Sequence, residues 1–186
     1  MTYDRKMIKA NVDLLAKAVG KRELPPESTI TMLVPTSEKT PQEWSYIFEK
    51  PTDDWSKPGA DLSSWKKGTG VFGFKEGKWG VAISTDWHSP DIWMVRKFEL
   101  PVGNLKRPVL RAAYARNATV YINGVKALDL KTGYMMNFAD IPLSAEAAAC
   151  LKEGENTIAI HAQKAPAEKP DNQFIDVGLG DETIHW

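Results

Sequence analysis

The sequence holds a single cysteine, Cys150, so no disulfide can form within the chain. That fits a reducing compartment without excluding an exported protein. Cys150 sits in the stretch SAEAAACLKEG, a short helical pattern that offers it neither a base nor an electropositive setting, so it reads as a packing residue and not a nucleophile. Histidine is also scarce. The three, His88, His161 and His185, never take the HExxH spacing, and no second histidine stands near His88 to share a metal. There is no G-x-S-x-G elbow. The glycines of GTGVFGFKEGKWG lack the GxxxxGK[ST] order and a following helix, so they do not read as a phosphate cradle. No apolar run approaches the about 20 residues that span a bilayer. The opening MTYDRKMIKANVDLL is too charged for a signal peptide. Charge of one sign is missing as well: Lys plus Arg and Asp plus Glu both number 24, for a formal net charge of zero. A balanced chain is a poor nucleic-acid binder and a poor polybasic membrane anchor.

What is present is an ordinary globular composition with an excess of tryptophan. The 186 residues are long enough for one domain with a real core, and 42% of them are hydrophobic. Five of the seven Trp fall between Trp44 and Trp87. Indole is both a large packing group and a flat face for sugar C–H groups, so this density fits pinned loops or a carbohydrate surface. The structural reading comes first for most of them.

The hydrophobic period changes once along the chain. Ile8, Val12, Leu15 and Val19 mark one face of a helix over Tyr3–Val19, with Gly20 as its stop. Such a stripe needs something to pack on. KRELPPEST follows as a polar, Pro-containing connector. The expected division is a helix and linker over 1–28 and a β-sandwich over 29–186. A helix plus linker is what a cut between domains would leave, so the expectation is a piece of a longer protein. From Ile30 the pattern is strand-like. Expected strands are Ile30–Val34, Trp44–Phe48, Trp79–Ser84, Ile92–Leu100, Val109–Ala115, Thr119–Ile122, Val125–Leu130, Thr157–Ala162 and Phe174–Leu179, mostly separated by Gly, Pro, Asn or Asp. Asn123-Gly124 between Ile122 and Val125 is the signature of a type I′ hairpin. Ser144–Leu151 is a short helix, with Ser144 as N-cap, Glu146 in the first turn and Gly154 ending the segment. Asp54–Gly77 reads as a long wet loop, a length uncommon without a role.

The candidate ligand-binding residues are Trp79, Trp87, His88, Asp91 and Arg96, which are the chemical types a sugar site uses. Trp87 and His88 stand equally as sugar contacts or as packing residues. Trp93 and Arg96 read first as structural, because β alternation over Ile92–Phe98 puts one of each neighbouring pair in the core. Asp176 alternates with Ile175 and Val177, so it needs polar partners, with Arg96 or backbone amides as candidates. A structural Ca²⁺ on Asp176 is the weaker alternative, since the EF-hand loop pattern is absent. His161 reads as a satisfied, half-buried strand residue. No catalytic constellation accompanies these residues, so the chain is not expected to be an enzyme by itself.

Taken together, the motif residues resemble a known family. They are Trp44, Trp55, Trp65, Gly73 and Trp87; the D-I-W strand of Asp91, Ile92, Trp93, Arg96 and Phe98; the hairpin of Val120, Tyr121, Asn123 and Gly124; and then Gly154, Asn156, His161, Gln173, Asp176 and Gly178. Over Trp44–Leu179 the chain resembles the galactose-binding-like jelly-roll module of large bacterial glycoside hydrolases, such as the sugar-binding domain of family 2 enzymes. It is also similar to accessory modules of glutaminase-like and other multidomain proteins of Bacteroides-type bacteria. The resemblance implies an all-β jelly-roll sandwich without chemistry of its own, in the periplasm or outside the cell. The implied partners are a neighbouring catalytic domain and a carbohydrate at the rim loops; the second reading is a bracing domain with no ligand. Lys97 stands where the R-R-x-F pattern has its second arginine. Lysine does not replace arginine at a bidentate site, so no anion-binding role is carried over from the family.

Overall fold

The structure is a computed structural model that describes residues 9–11, 13–14, 27–77, 81–101, 105–164 and 172–185. The strands are β1 (Glu27–Val34), β2 (Glu43–Ile47), β3 (Lys66–Thr69), β4 (Phe72–Gly73), β5 (Thr85–Asp86), β6 (Asp91–Leu100), β7 (Pro108–Ile122), β8 (Val125–Pro142), β9 (Gly154–Gln163) and β10 (Phe174–His185). Hydrogen bonding runs in the order β3-β2-β6-β9-β7-β10-β4-β5, with β1 on β10 and β8 on β7. The all-β jelly-roll sandwich expected from the sequence is the fold observed. Residues 9–11 and 13–14 are helical and exposed, with Leu14 67% exposed.

The ten strands form one continuous hydrogen-bonded sheet that folds over itself into the two layers of the sandwich, and β7 runs through both layers. Pro108–Ala115 pairs with β10, and Asn117–Ile122 pairs with β9. The exchange of partners happens at Arg116, whose φ is +92° and where the ladder to β8 slips by a residue. A left-handed residue and a bulge turn a long strand sharply, which lets one strand cross from layer to layer. The expected strands Val109–Ala115 and Thr119–Ile122 are therefore the two arms of one bent strand.

The core lies between the layers. β6 contributes Ile92, Met94, Phe98 and Leu100; β7 contributes Leu110, Ala112, Ala118, Val120 and Ile122; β9 contributes Ile158, Ile160 and Ala162. All alternate by two, as strands with one inward face require. Trp44, Phe72 and Trp87 fill the space between the layers and are essentially unexposed. A smaller apolar cluster of Val71, Ala113, Ala115 and Phe174 sits separately, with Val81, Ile83 and Phe138 against it.

The Asn123-Gly124 turn forms as expected, with φ of +49° and +85°. Its asparagine also works outside the turn. Asn123 Nδ2 donates to Cys150 O (2.7 Å) and Asn156 Oδ1 (2.8 Å), and Asn123 Oδ1 accepts from Thr157 N (2.8 Å). Asn156, wholly buried, closes the loop behind it by donating to Lys152 O and Gly154 O. The short helix Ala145–Ala149 between β8 and β9 is capped by Ser144, whose Oγ accepts from Ala147 N. Removing the side chain in Asn123→Ala leaves these partners unsatisfied and puts alanine in a left-handed conformation. The expected loss is about 2–3 kcal/mol, measured by urea denaturation.

The region expected as a wet loop, Asp54–Gly77, is more structured than its composition suggests. It contains β3 and β4. The part before β3 forms a strap across the outer face of β2 and β6. Trp55 meets Tyr121 edge-on at 5.6 Å and lies near-parallel to Trp65 (6.4 Å, 20°), and Lys57 crowds Gly124. Val95 (1% exposed) and Ser45 (4%) are thus buried although they point away from the core. The expected strand Trp79–Ser84 is not found over 81–84, and residues 79–80 lie outside the described residues.

Candidate functional site

The predicted site residues that the structure describes do not form one site. Trp79 lies outside the described residues. Trp87 is 0% exposed and belongs to the core cluster, so it offers no face to a ligand. Its backbone is fixed from two sides: Trp87 N donates to Gly73 O (2.8 Å), and its carbonyl accepts from Gln173 Nε2 (2.7 Å). The sugar-contact reading of Trp87 is corrected on this ground. In sequence its loop setting, TDWHSP, looks exposed; in the fold Thr85–Asp86 pairs in parallel with Phe72–Gly73, which carries the indole inward.

His88 is exposed at the rim. Its Nε2 lies 2.7 Å from Asp86 Oδ2, and its ring stands edge-on to Phe74 at 5.2 Å. Asp91 is committed elsewhere. Its Oδ1 lies 2.7 Å from His161 Nε2 and accepts from Gln163 Nε2 at 3.0 Å. The imidazole of His161 in turn lies flat on Trp93 (4.6 Å between centroids, 4° between planes). His161 is thus a half-buried, partnered histidine, as its place in the strand suggests.

Arg96 is five residues further along β6, about 17 Å away at strand rise, so it shares no site with Asp91. It anchors the segment between β1 and β2. Nη1 donates to Pro35 O and Nη2 to Gln42 Oε1, both at 2.9 Å. Ser37, in the same segment, holds Asp176. Ser37 N donates to Asp176 Oδ2 at 2.6 Å, and its hydroxyl reaches Oδ1 at 3.4 Å. The partners expected for Asp176, Arg96 charge and a backbone amide, are the ones present. Gly70 closes the cluster from the other side. A Cβ there would stand 2.3 Å from Ser37 Oγ and 3.1 Å from Asp176 Oδ1, so only glycine fits. Burial pushes the Asp176 carboxyl up to about 7, against the lowering effect of Ser37 and of Arg96. Burial lowers the Arg96 pKa in turn, partly offset by Asp176. No group of three His, Cys, Asp or Glu poised for a metal occurs among the described residues.

Arg96 also borders a cavity of about 570 Å³ between the strap and the β2–β6 face. Val95 and Ser45 line it from the sheet, and Leu62 from the strap. Among the described residues its charged lining is Arg96, Lys67, Lys97 and Glu43, with Lys67 paired to Glu43 and Lys97 to Glu155 outside the lining. Sequence reasoning named Arg96 but missed the others. Lys67 and Ser45 become neighbours only through the β2–β3 register, and Leu62 only through the strap.

Comparison of the fold with solved structures gives many matches. A β-glucuronidase of Bacteroides uniformis is 16% identical, with a TM-score of 0.56 over 83% of this chain and 18% of that one. A glycosyl hydrolase family 2 member from Bacteroides cellulosilyticus is 12% identical, with a TM-score of 0.57 over 82% of this chain and 21% of its own. A β-glycosidase from Bacteroides vulgatus is 14% identical at a TM-score of 0.50, covering 82% and 20%. The chain shares its sandwich with these glycoside hydrolases. It spans about a fifth of their length. No family model matches the sequence, and no curated protein does.

Proposed function

We propose that the chain is a non-catalytic accessory module of a larger carbohydrate-active protein, which braces a neighbouring catalytic domain. The observation that carries this reading is the fold match: four-fifths of the chain superposes on only a fifth of much larger glycoside hydrolases. A module of that share supplies surface and support, and the chemistry belongs to the remainder. The placing of the rim residues supports it further. Trp87 serves the core, Asp91 orients His161, and Arg96 ties Pro35 and Gln42 to β6. These are the roles of a rigid frame. With the same neighbours in mind, we place the protein in the periplasm or outside the cell.

The test is an assay of the purified chain against a panel of chromogenic aryl glycosides and glucuronides. No turnover above the uncatalysed rate is expected. Turnover that follows the protein through successive purification steps would sink the module reading.

A further inference from the structure

We propose that Asn123 is a deamidation site, which the folded chain keeps closed and which any opening of the β7–β8 turn exposes. The inference is independent of the module reading.

Asn123 is the only asparagine in the sequence that precedes a glycine. Glycine has no side chain to shield its backbone nitrogen or to restrict its approach, so a flexible Asn-Gly pair is the most reactive of its kind. Gly124 N attacks Asn123 Cγ, and the Cγ–Nδ2 bond breaks. The leaving nitrogen carries the Gly124 amide proton away as ammonia, and a cyclic imide remains. Water then opens the imide at either carbonyl, which gives an aspartyl or an isoaspartyl link.

In the fold this ring cannot close. With φ of +49° at Asn123 and +85° at Gly124, the turn is of type I′. Such a turn has a small positive ψ at its first central residue, whereas the imide ring of an L-residue needs ψ far on the negative side. The side chain is held as well. Both Nδ2 hydrogens are committed, to Cys150 O at 2.7 Å and to Asn156 Oδ1 at 2.8 Å, and Oδ1 accepts from Thr157 N at 2.8 Å. Asn123 N donates to Thr157 O at 2.9 Å. Asn156 cannot turn to release its partner. It is wholly buried, its Oδ1 also accepts from Lys152 N, and its Nδ2 donates to Lys152 O and Gly154 O. Turning the Asn123 carboxamide onto Gly124 N breaks three hydrogen bonds and strands their partners. Ring closure therefore waits for an opening that frees the β7–β8 turn from β9.

Neither product fits back. An aspartyl side chain sets a carboxylate against two acceptors, Cys150 O and Asn156 Oδ1. An isoaspartyl link adds a backbone atom to a two-residue turn, which disturbs the pairing of Ile122 with Val125. Deamidation thus makes a transient opening permanent, as chemical modification of an unfolded chain does in general.

The test is peptide mapping by mass spectrometry of the intact chain after prolonged incubation at one pH, in native buffer and in urea above the unfolding midpoint. Deamidation at Asn123 should run at least about tenfold faster in urea, and both links should be found there. In urea below the midpoint, its rate should rise in step with hydrogen exchange at the Thr157 amide, which reports the opening. The variant Asn123→Asp, made directly, should lose at least about 5 °C of thermal midpoint, and failure of that variant to fold gives the same answer. Equal rates in native buffer and in urea, another asparagine outpacing Asn123 in urea, a rate that ignores Thr157 exchange, or a midpoint unmoved in Asn123→Asp each overturns the proposal.

Discussion

Replacing Trp87 by alanine is expected to cost about 3–5 kcal/mol of stability, the largest loss of any single change considered for this chain. The indole is wholly buried among the core residues, so truncation leaves a cavity that close-packed strands cannot collapse to fill. The experiment is chemical denaturation of wild type and variant, read by circular dichroism. Trp87→Phe separates volume from polarity. Trp87 Nε1 has no hydrogen-bond partner among the described residues, so phenylalanine loses some packing but also removes an unsatisfied buried donor. Its cost should be smaller, about 1–2 kcal/mol. A Trp87→Ala protein with an unchanged midpoint would contradict the placing of this residue. The result also decides how any sugar titration is read, since a fluorescence change lost in Trp87→Ala would report a damaged core and not a lost contact.

The history of Trp87 shows what is legible in this sequence. Periodicity reveals which residues share a face when their strand is long. Ile92, Met94, Arg96 and Phe98 read as one row and Trp93, Val95 and Lys97 as the other, with the inward row left open; Ile92, Met94 and Phe98 are the core row. Asn123-Gly124 reads as a tight turn because positive φ at two successive positions leaves few other sequences. The gap between Ala115 and Thr119 was visible too, although as a break and not as the corner that Arg116 makes. Very short strands leave no such trace. β4 and β5 are two residues each, and β3 reads KKGT, so nothing in composition separates them from loop. Their pairing alone decides that Trp87 turns inward. The cavity was illegible for the same reason. Its lysines, its serine and its leucine come from three segments whose meeting depends on strand register and on a strap pinned by Trp55 and Trp65. Of the predicted site residues that the structure describes, only Arg96 borders that cavity, since a half-buried arginine on a strand is recognisable as needing partners but not as lying beside one particular space.

Asp176 carries the other large effect, and its sign is unusual for a carboxylate near an arginine. Burial raises its folded pKa from 3.8 to about 7, so between these values the folded protein holds a proton that the unfolded chain has released. Stability therefore falls as pH rises through this window and levels off above about 7. The full swing is on the order of 4 kcal/mol for one group shifted by this much. Glu38 and Glu182 act in the opposite sense. Arg111 and Arg107 hold their pKa values below the usual glutamate range, so their contribution is lost only as the solution becomes more acidic than that. Asp176→Asn isolates the one carboxyl, because the amide oxygen can still accept from Ser37 N while the charge is removed. Denaturation of both proteins from pH 4 to pH 8 should give curves that nearly coincide at the acid end and diverge towards neutral pH. The asparagine variant should be the more stable by several kcal/mol at the alkaline end, less whatever attraction to Arg96 it forfeits. Parallel curves would mean that Asp176 ionises normally in the fold, and that Arg96 compensates its burial in full. If the curves diverge as expected, the ionised Asp176 is a cost that the fold accepts at neutral pH, and the segment it fixes through Ser37 is the one that Arg96 holds through Pro35 and Gln42.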